Sequence, residues 1–525
     1  MIRGMTYTMA AICSAVVVLL GYAVLDVAAA APGVLTMAPL PQAPPTETPG
    51  TRTLPLVAQP TPSTSVPPAL PSLAGETAAP SASGVEAALA DVRGLAALRD
   101  SALVVRDGQS GQVLLDQDGA ALRIPASTTK LLSAAAIGQV FHADETLSTV
   151  VRAGAAADEI VLVAGGDSLI NPGKGDPDAV AGRAGLRDLA DEVARALKAR
   201  GLTSVRLSVD ESYADGPLLA TTWGSDYRRL AITGPVSMLG LSTQRATSGH
   251  PALNDPVASV RDRLAELLAG RGIDVTVQPR PGSLARRAAT DNTAVVPAPT
   301  PSPSIDAAAG SSSATGTPAP SATDAQGGPG TAQGGYAPGT VLGSIESAPV
   351  RDQLALALTD SDNALTEILA RQAAFRAGAG TSFSQVGSWV VQQVGALGLD
   401  TTGVTLSDAS GLSRENRVRA DLLADVLVLG YDGHHPVLRR ALDGLPIGGL
   451  TGTLEERFTG KNHDAAGRAR AKTGTLTGAN ALAGSVVDDD GRLLVFVGMV
   501  AGAGTNDARA ALDRFVATVA ACGCR

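Results

Sequence analysis

Cysteine is almost missing from this chain: Cys13, Cys522 and Cys524 are all that 525 residues contain. That excludes an even disulfide framework and the paired CxxC spacing of a structural zinc site. Cys522 and Cys524, one residue apart, are too close for an easy, unstrained bridge and read as free thiols without a role. Histidine is also scarce, at five, with none in an HExxH spacing, so a metalloprotease is excluded and histidine bases are few. His434-His435 before Pro436 reads as loop surface; no metal and no cofactor is expected. Aromatics are only 3% of the chain while glycine numbers 59 and proline 33, so a sizeable part never packs. Positive charge is short too: 41 Lys+Arg against 50 Asp+Glu give a net charge of -9, which excludes nucleic acid as a partner.

Between Gly4 and Leu25 only uncharged residues occur, preceded by Arg3. The run suits a retained membrane anchor, or a signal peptide cut near Ala28–Ala31, and in both cases the rest of the chain is exported. Residues 1–31 are assigned to that segment. Residues 32–88, rich in Pro, Thr, Ser and Ala, read as a disordered linker, and a second such tract spans about 294–337. What remains is about 390 residues, enough for one large and one modest domain.

Residues 102–105 and 113–115 flank Asp107-Gly108 and Ser110-Gly111 as a hairpin, followed by a buried helix opened by Pro125-Ala126-Ser127. From 153 to 344 short strands alternate with helices marked by Leu186, Leu189, Val193 and Leu197, and by Val257, Val260, Leu264 and Leu267, as in a separate α/β unit. Near the C-terminus two apolar runs around Asp488-Asp489-Asp490-Gly491 predict a buried hairpin with a solvated acidic turn, then a last helix.

Only five lysines occur, and two sit in chemically suggestive settings. In Ser127-Thr128-Thr129-Lys130 an amine follows a hydroxyl by three residues, so on a helix the two side chains share a face. A neutral lysine can deprotonate a serine if burial and a second cation lower its pKa by several units. Ser361-Asp362-Asn363 stands at a helix start; its residues suit capping, and equally a proton relay through Ser361 and an amide contact through Asn363. Lys472-Thr473-Gly474-Thr475 fits an exposed edge strand, where glycine admits a substrate backbone and Lys472 and Thr473 meet a carboxylate. Each motif alone is weak. All three in this order form the signature of serine enzymes of the penicillin-binding type.

The chain thus resembles the D-alanyl-D-alanine carboxypeptidase/endopeptidases, low-molecular-mass class C penicillin-binding proteins of the S13 type. More than two hundred residues separate Ser127 from Ser361, roughly three times the distance in insert-free relatives, so an inserted domain is implied. Ala164-Gly165-Gly166-Asp167, Asp210 through Trp223, Asp408 through Ser413 and Leu445 through Leu454 are also similar to the family, although Ser168 stands where many relatives have proline. The resemblance implies a mixed α/β (α+β) fold: a β-lactamase/transpeptidase-like catalytic domain, 89–152 and 345–525, with an antiparallel sheet flanked by helices, interrupted by an α/β domain at 153–344. It also implies acylation of Ser127 by peptidoglycan stem peptides ending in D-Ala-D-Ala, with Lys130 as base and Ser361 as relay. Asn363 would hold the substrate amide, Lys472, Thr473 and Gly474 the carboxylate end, and the Ser127 and Thr475 backbone N–H groups the oxyanion. β-Lactams would be inhibitors and the enzyme would work outside the membrane, at the cell wall. A serine β-lactamase and a non-catalytic wall-binding protein are the competing readings; the motif spacing opposes the first and retention of Ser127, Lys130 and Lys472 the second.

Overall fold

Apolar runs along three strands, each covered on both sides, organise the first of two sheets in the chain. The computed structural model describes residues 79–247, 249–280 and 335–524, together with Leu20. The expected N-terminal segment, most of the linker and nearly all of the second low-complexity tract lie outside the described residues. Helix α1 (Ala82–Arg93) is capped by the Ser81 hydroxyl, which accepts from Gly84 N at 3.1 Å, and buries Val85, Leu89 and Val92. The linker expected up to 88 therefore ends earlier, because its last residues supply the first buried turn of this helix. At the other tract, Tyr336 is ordered: its hydroxyl donates to Ala196 O at 2.9 Å.

Strands β1 (Ser101–Asp107) and β2 (Val113–Gln117) form the expected hairpin, and one 3-10 turn, Ala126–Thr128, runs into the fully buried helix α2 (Thr129–Ile137). There follow β3 (Ser148–Ala153), β4 (Glu159–Val163), α3 (Leu186–Ala199), β5 (Ser204–Asp210), α4 (Pro256–Ala269), β6 (Asp274–Val277) and β7 (Val341–Glu346). The chain continues with α5 (Val350–Thr359), α6 (Asn363–Arg376), α7 (Phe383–Ala396), α8 (Ala420–Gly430) and α9 (Pro436–Asp443). It closes with β8 (Arg470–Leu476), β9 (Ala479–Val487), β10 (Leu493–Ala501) and α10 (Thr505–Ala520).

Two five-stranded sheets result. The first, in the order β2-β1-β10-β9-β8, is antiparallel throughout. Because side chains alternate across a strand, Ala102 and Val104 of β1 join a core with α2, α6 and α8, whereas Leu103 and Val105 join a core with α1 and α10. The second sheet, β6-β5-β4-β3-β7, is parallel from β4 to β6, with α3 and α4 as crossovers, and antiparallel at β3 and β7. β3 and β7 run across the boundaries expected at 152/153 and 344/345, and they pair with each other in this second sheet.

Two further expectations need correcting. The acidic turn is only partly solvated: Asp488 is buried and accepts from Arg492 N at 2.7 Å, and the Arg492 guanidinium makes two bonds, 2.5 and 2.8 Å, to the buried Asp107 carboxylate of β1. A turn that returns a buried arginine to the sheet cannot keep its first aspartate in water. At the C-terminus Cys522 and Cys524 are joined in a disulfide, with Cα atoms 5.0 Å apart, inside the normal range for such bridges.

Candidate active site

Ser127 lies in the 3-10 turn at the head of α2, and the backbone there is unusual. Ala126, immediately before it, has φ +47° although it is not glycine. Two glycines allow the approach of neighbours that hold this turn. A Cβ on Gly411 would stand 1.9 Å from Ala126 O, and one on Gly474 would stand 2.7 Å from Pro125 O. The loop 408–413 and edge strand β8 therefore press on the Ser127 turn from two sides, which explains why the sequence places Gly in both motifs.

Lys130, three residues on, is fully buried. Its Nζ lies 3.3 Å from Ser127 Oγ, 2.5 Å from Asn363 Oδ1 and 2.7 Å from Ser410 O. A neutral amine has two N–H groups and one lone pair. The amide and the carbonyl take the two N–H groups, which leaves the lone pair for the Ser127 hydroxyl. Burial pulls the Lys130 pKa down to about 8, against the opposing pull of Asp408, Glu367 and Asp362.

On the facing element, Ser361 also has a left-handed backbone, φ +55°, so two residues in strained conformations flank the site. Asp362 is the cap of α6, accepting from Leu365 N at 2.9 Å, and is held in turn by Arg245 at 2.8 Å; Asp360 takes the same guanidinium at 2.9 Å. Ser361 is thereby freed from capping, and its hydroxyl accepts from Lys472 Nζ at 2.8 Å. Asn363 has both ends of its amide engaged, Oδ1 to Lys130 and Nδ2 to Ile232 O at 2.7 Å.

β8 is the edge strand expected for the third motif, yet Lys472 is buried rather than exposed, because its side chain turns inward beneath Ser361. Burial and then the neighbouring Lys130 hold its pKa well below the usual lysine value. Two buried amines so placed disfavour a second proton. Thr473 donates to Thr453 Oγ1 at 2.9 Å, Gly474 is buried, and Thr475 is exposed, with its hydroxyl 3.4 Å from Arg509. A cavity of about 330 Å³ opens beside Ser361, lined among others by Ile232, Arg245, Asn363 and Thr453. The three motifs therefore converge, linked through Lys130–Asn363 and Lys472–Ser361.

Sequence reasoning missed Glu367, which is buried one turn beyond Asn363 and accepts from Ala409 N at 3.0 Å and Ser410 N at 2.7 Å. The available signal was the apolar text on all sides of it in α6, Leu365, Ile368, Leu369 and Ala370, which leaves no solvent face for a carboxylate. Asp408 was quoted only as part of a similar stretch; it accepts from Gly411 N, Ser413 N, Asn416 Nδ2 and Trp223 Nε1 at 2.6–2.8 Å. Among the described residues no group of three or more His, Cys, Asp or Glu is arranged to hold a metal.

Comparison with known proteins identifies the family. Residues 82–261 and 327–521 match the D-Ala-D-Ala carboxypeptidase 3 (S13) family. Carboxypeptidase DacB of Mycolicibacterium smegmatis is 32% identical over 428 residues, covering 80% of this chain and 80% of that protein. The D-alanyl-D-alanine carboxypeptidase of Actinomadura sp. is 30% identical over 424 residues, covering 75% of this chain and 76% of that one. In fold, penicillin binding protein 4 (dacB) from Haemophilus influenzae is similar, with a TM-score of 0.56 at 17% identity, over 82% of this chain and 98% of that chain.

Proposed function

This chain belongs to the D-Ala-D-Ala carboxypeptidase 3 (S13) family and is a serine-type carboxypeptidase; from that premise we propose that Ser127 is its nucleophile and Lys130 its general base. The observation that carries the assignment is the Lys130 amine 3.3 Å from Ser127 Oγ, with both its N–H directions occupied by Asn363 and Ser410. Ser127 Oγ attacks the carbonyl carbon between the two terminal D-alanines while Lys130 takes its proton. The proton passes through Ser361 to the leaving amine, the C–N bond breaks, and water hydrolyses the Ser127 ester. The N–H groups of Ser127 and Thr475 would bind the oxyanion. Lys472 and Thr473 would bind the substrate carboxylate, with Gly474 giving the substrate room. An arriving carboxylate favours the charged form of Lys472, and that charge in turn keeps Lys130 neutral. The Asn363 amide would exchange Ile232 O for the substrate backbone.

The substrate we propose is a peptidoglycan stem peptide ending in D-Ala-D-Ala, or the cross-link derived from it, outside the membrane. β-Lactams would acylate Ser127 in its place, in keeping with the name of the H. influenzae protein of the same fold. Residues 1–31 would export or anchor the chain. Among the described residues no helix is long and apolar enough to cross a membrane. The catalytic domain would then be 82–147 with 347–524, built on the antiparallel sheet, and the insert 148–346, built on the sheet that begins with β3 and ends with β7.

The test is to incubate the full-length chain, and Ser127→Ala, with a fluorescent penicillin and with a D-Ala-D-Ala peptide. Persistent labelling and D-Ala release by the parent, both lost in Ser127→Ala, support the proposal. Rapid turnover of the drug points to a β-lactamase; absence of label in the parent refutes the assignment.

A further inference from the structure

Resting on the reading of Ser127 and Lys130 as nucleophile and base, we infer that Glu367 is a positioning residue, fixing the loop 408–411 so that the Ser410 carbonyl aims the Lys130 amine at Ser127. Asn363 and Glu367 lie one helical turn apart on the same side of α6. From that face two acceptors reach Lys130. Asn363 Oδ1 does so directly, at 2.5 Å; Glu367 does so through the loop, taking the N–H of Ala409 and of Ser410 on one oxygen while Ser410 O accepts from Lys130 at 2.7 Å.

The loop is clamped from other directions as well. Ser133 of α2 donates to Ala409 O at 2.6 Å, Asp408 closes the turn on Gly411 N and Ser413 N, and Gly411 abuts Ala126 O. What Glu367 alone among these contacts supplies is an acceptor for the Ala409 and Ser410 N–H groups, which fixes the two peptide planes leading into Ser410; the Ser410 carbonyl lies in the next plane, whose Gly411 N–H is taken by Asp408. Without it both donors would be buried and unsatisfied, and the backbone leading into Ser410 would be free to shift, carrying the Ser410 carbonyl away from Nζ. Lys130 would then keep one fixed acceptor, and its lone pair would no longer be held on the Ser127 hydroxyl. Misplacement of a reacting group by about 1 Å costs on the order of 100-fold in rate. The charged groups acting on Glu367 include Asp408, Arg371 and, reciprocally, Lys130, and burial followed by Asp408 raises its own pKa to about 8. Its service here needs an acceptor oxygen rather than a charge.

That distinction gives the experiment. Acylation of the full-length chain by a fluorescent penicillin is followed as a first-order rate at saturating drug from pH 6 to 9.5, a constant that does not depend on how much of a preparation is folded. Glu367→Gln, which retains an acceptor oxygen in place, is expected to keep its plateau rate within about threefold of the parent. Glu367→Ala is expected to lose at least tenfold at the plateau across the whole pH range. Glu367→Asp, which keeps the charge but withdraws the oxygen, should fall with Ala, and it carries the comparison with Gln should the Ala variant fail to fold. The inference is overturned if Ala or Asp acylates at the parental plateau rate, or if Gln falls as far as they do. A role through charge alone would instead shift the pH midpoint of Gln and Ala equally. Failure of the underlying assignment looks different: the parent itself would carry no label on Ser127.

Discussion

Acylation should be switched on by deprotonation of Lys130, and its midpoint follows from burial. The amine is fully enclosed, and desolvation outweighs the attraction of Asp408, Glu367 and Asp362 to leave its pKa near 8. Only the neutral amine can accept the Ser127 proton. With a pKa of about 8, the neutral fraction is about 1% at pH 6, about 9% at pH 7 and about 50% at pH 8. The second-order rate constant for labelling by a fluorescent penicillin should therefore climb about 50-fold from pH 6 to pH 8 and flatten above pH 9. Stopped-flow mixing into matched buffers at constant ionic strength measures it. A rate that varies less than about threefold between pH 6 and 8 would refute Lys130 as the titrating base. The same burial has a thermodynamic sign. The unfolded chain binds the lysine proton more tightly, so the penalty on the fold is fully present below pH 8. It is relieved as pH rises from about 8 towards 10.5, by on the order of 3 kcal/mol.

Three other perturbations test separate parts of the molecule. Gly411→Ala puts a Cβ against Ala126 O at a backbone φ of +87°, and should lower unfolding free energy in urea by more than about 3 kcal/mol while abolishing labelling. Asp107→Asn removes the carboxylate charge that two bonds from the buried Arg492 guanidinium meet and should cost roughly 3–5 kcal/mol, with the labelling rate of the folded fraction unchanged. In the parent, burial raises the Asp107 pKa but the bonds from Arg492 and Ser110 prevail and bring it to about 2, so its contribution is lost as pH falls from about 4 through 2; the Asn variant should lack that acid limb in a thermal-unfolding series. Lys472→Ala should slow D-Ala release from a peptide with a free C-terminal carboxylate about 100-fold, and slow the C-terminally amidated peptide far less; equal losses on both would remove Lys472 from carboxylate binding.

Short-range order accounts for what could be read without coordinates. The three-residue step from Ser127 to Lys130 is fixed by helix geometry, and the apolar runs of β9 and β10 can only be buried strands, so the head of the site and the sheet beneath it were both visible in the text. Which of Ser361, Asp362 and Asn363 caps the helix was open, since all three are good capping residues; distant partners separate them, Lys472 taking Ser361, Lys130 taking Asn363 and Arg245 holding Asp362. The burial of Lys472 was hidden for a similar reason, because a lysine on an edge strand reads as exposed until Ser361 is seen above it. Glu367 and the Asp488 turn were missed because their partners, a loop backbone and a distant arginine, leave no periodic trace. The Cys522–Cys524 bridge was misjudged because sequence separation was taken for spatial geometry.

The segment between β5 and α4 grips α6 and the loop 408–413 at several points: Trp223 donates to Asp408, Ile232 accepts from Asn363, and Pro217 and Val236 accept from Arg371. Two of those grips land on residues within one bond of the groups that hold Lys130. Attempts to whittle this enzyme to a minimal core by excising that stretch would therefore unseat Lys130, the base proposed above, along with the excised polypeptide, and any chimaera carrying a foreign insertion would have to import the tryptophan and the carbonyl with it.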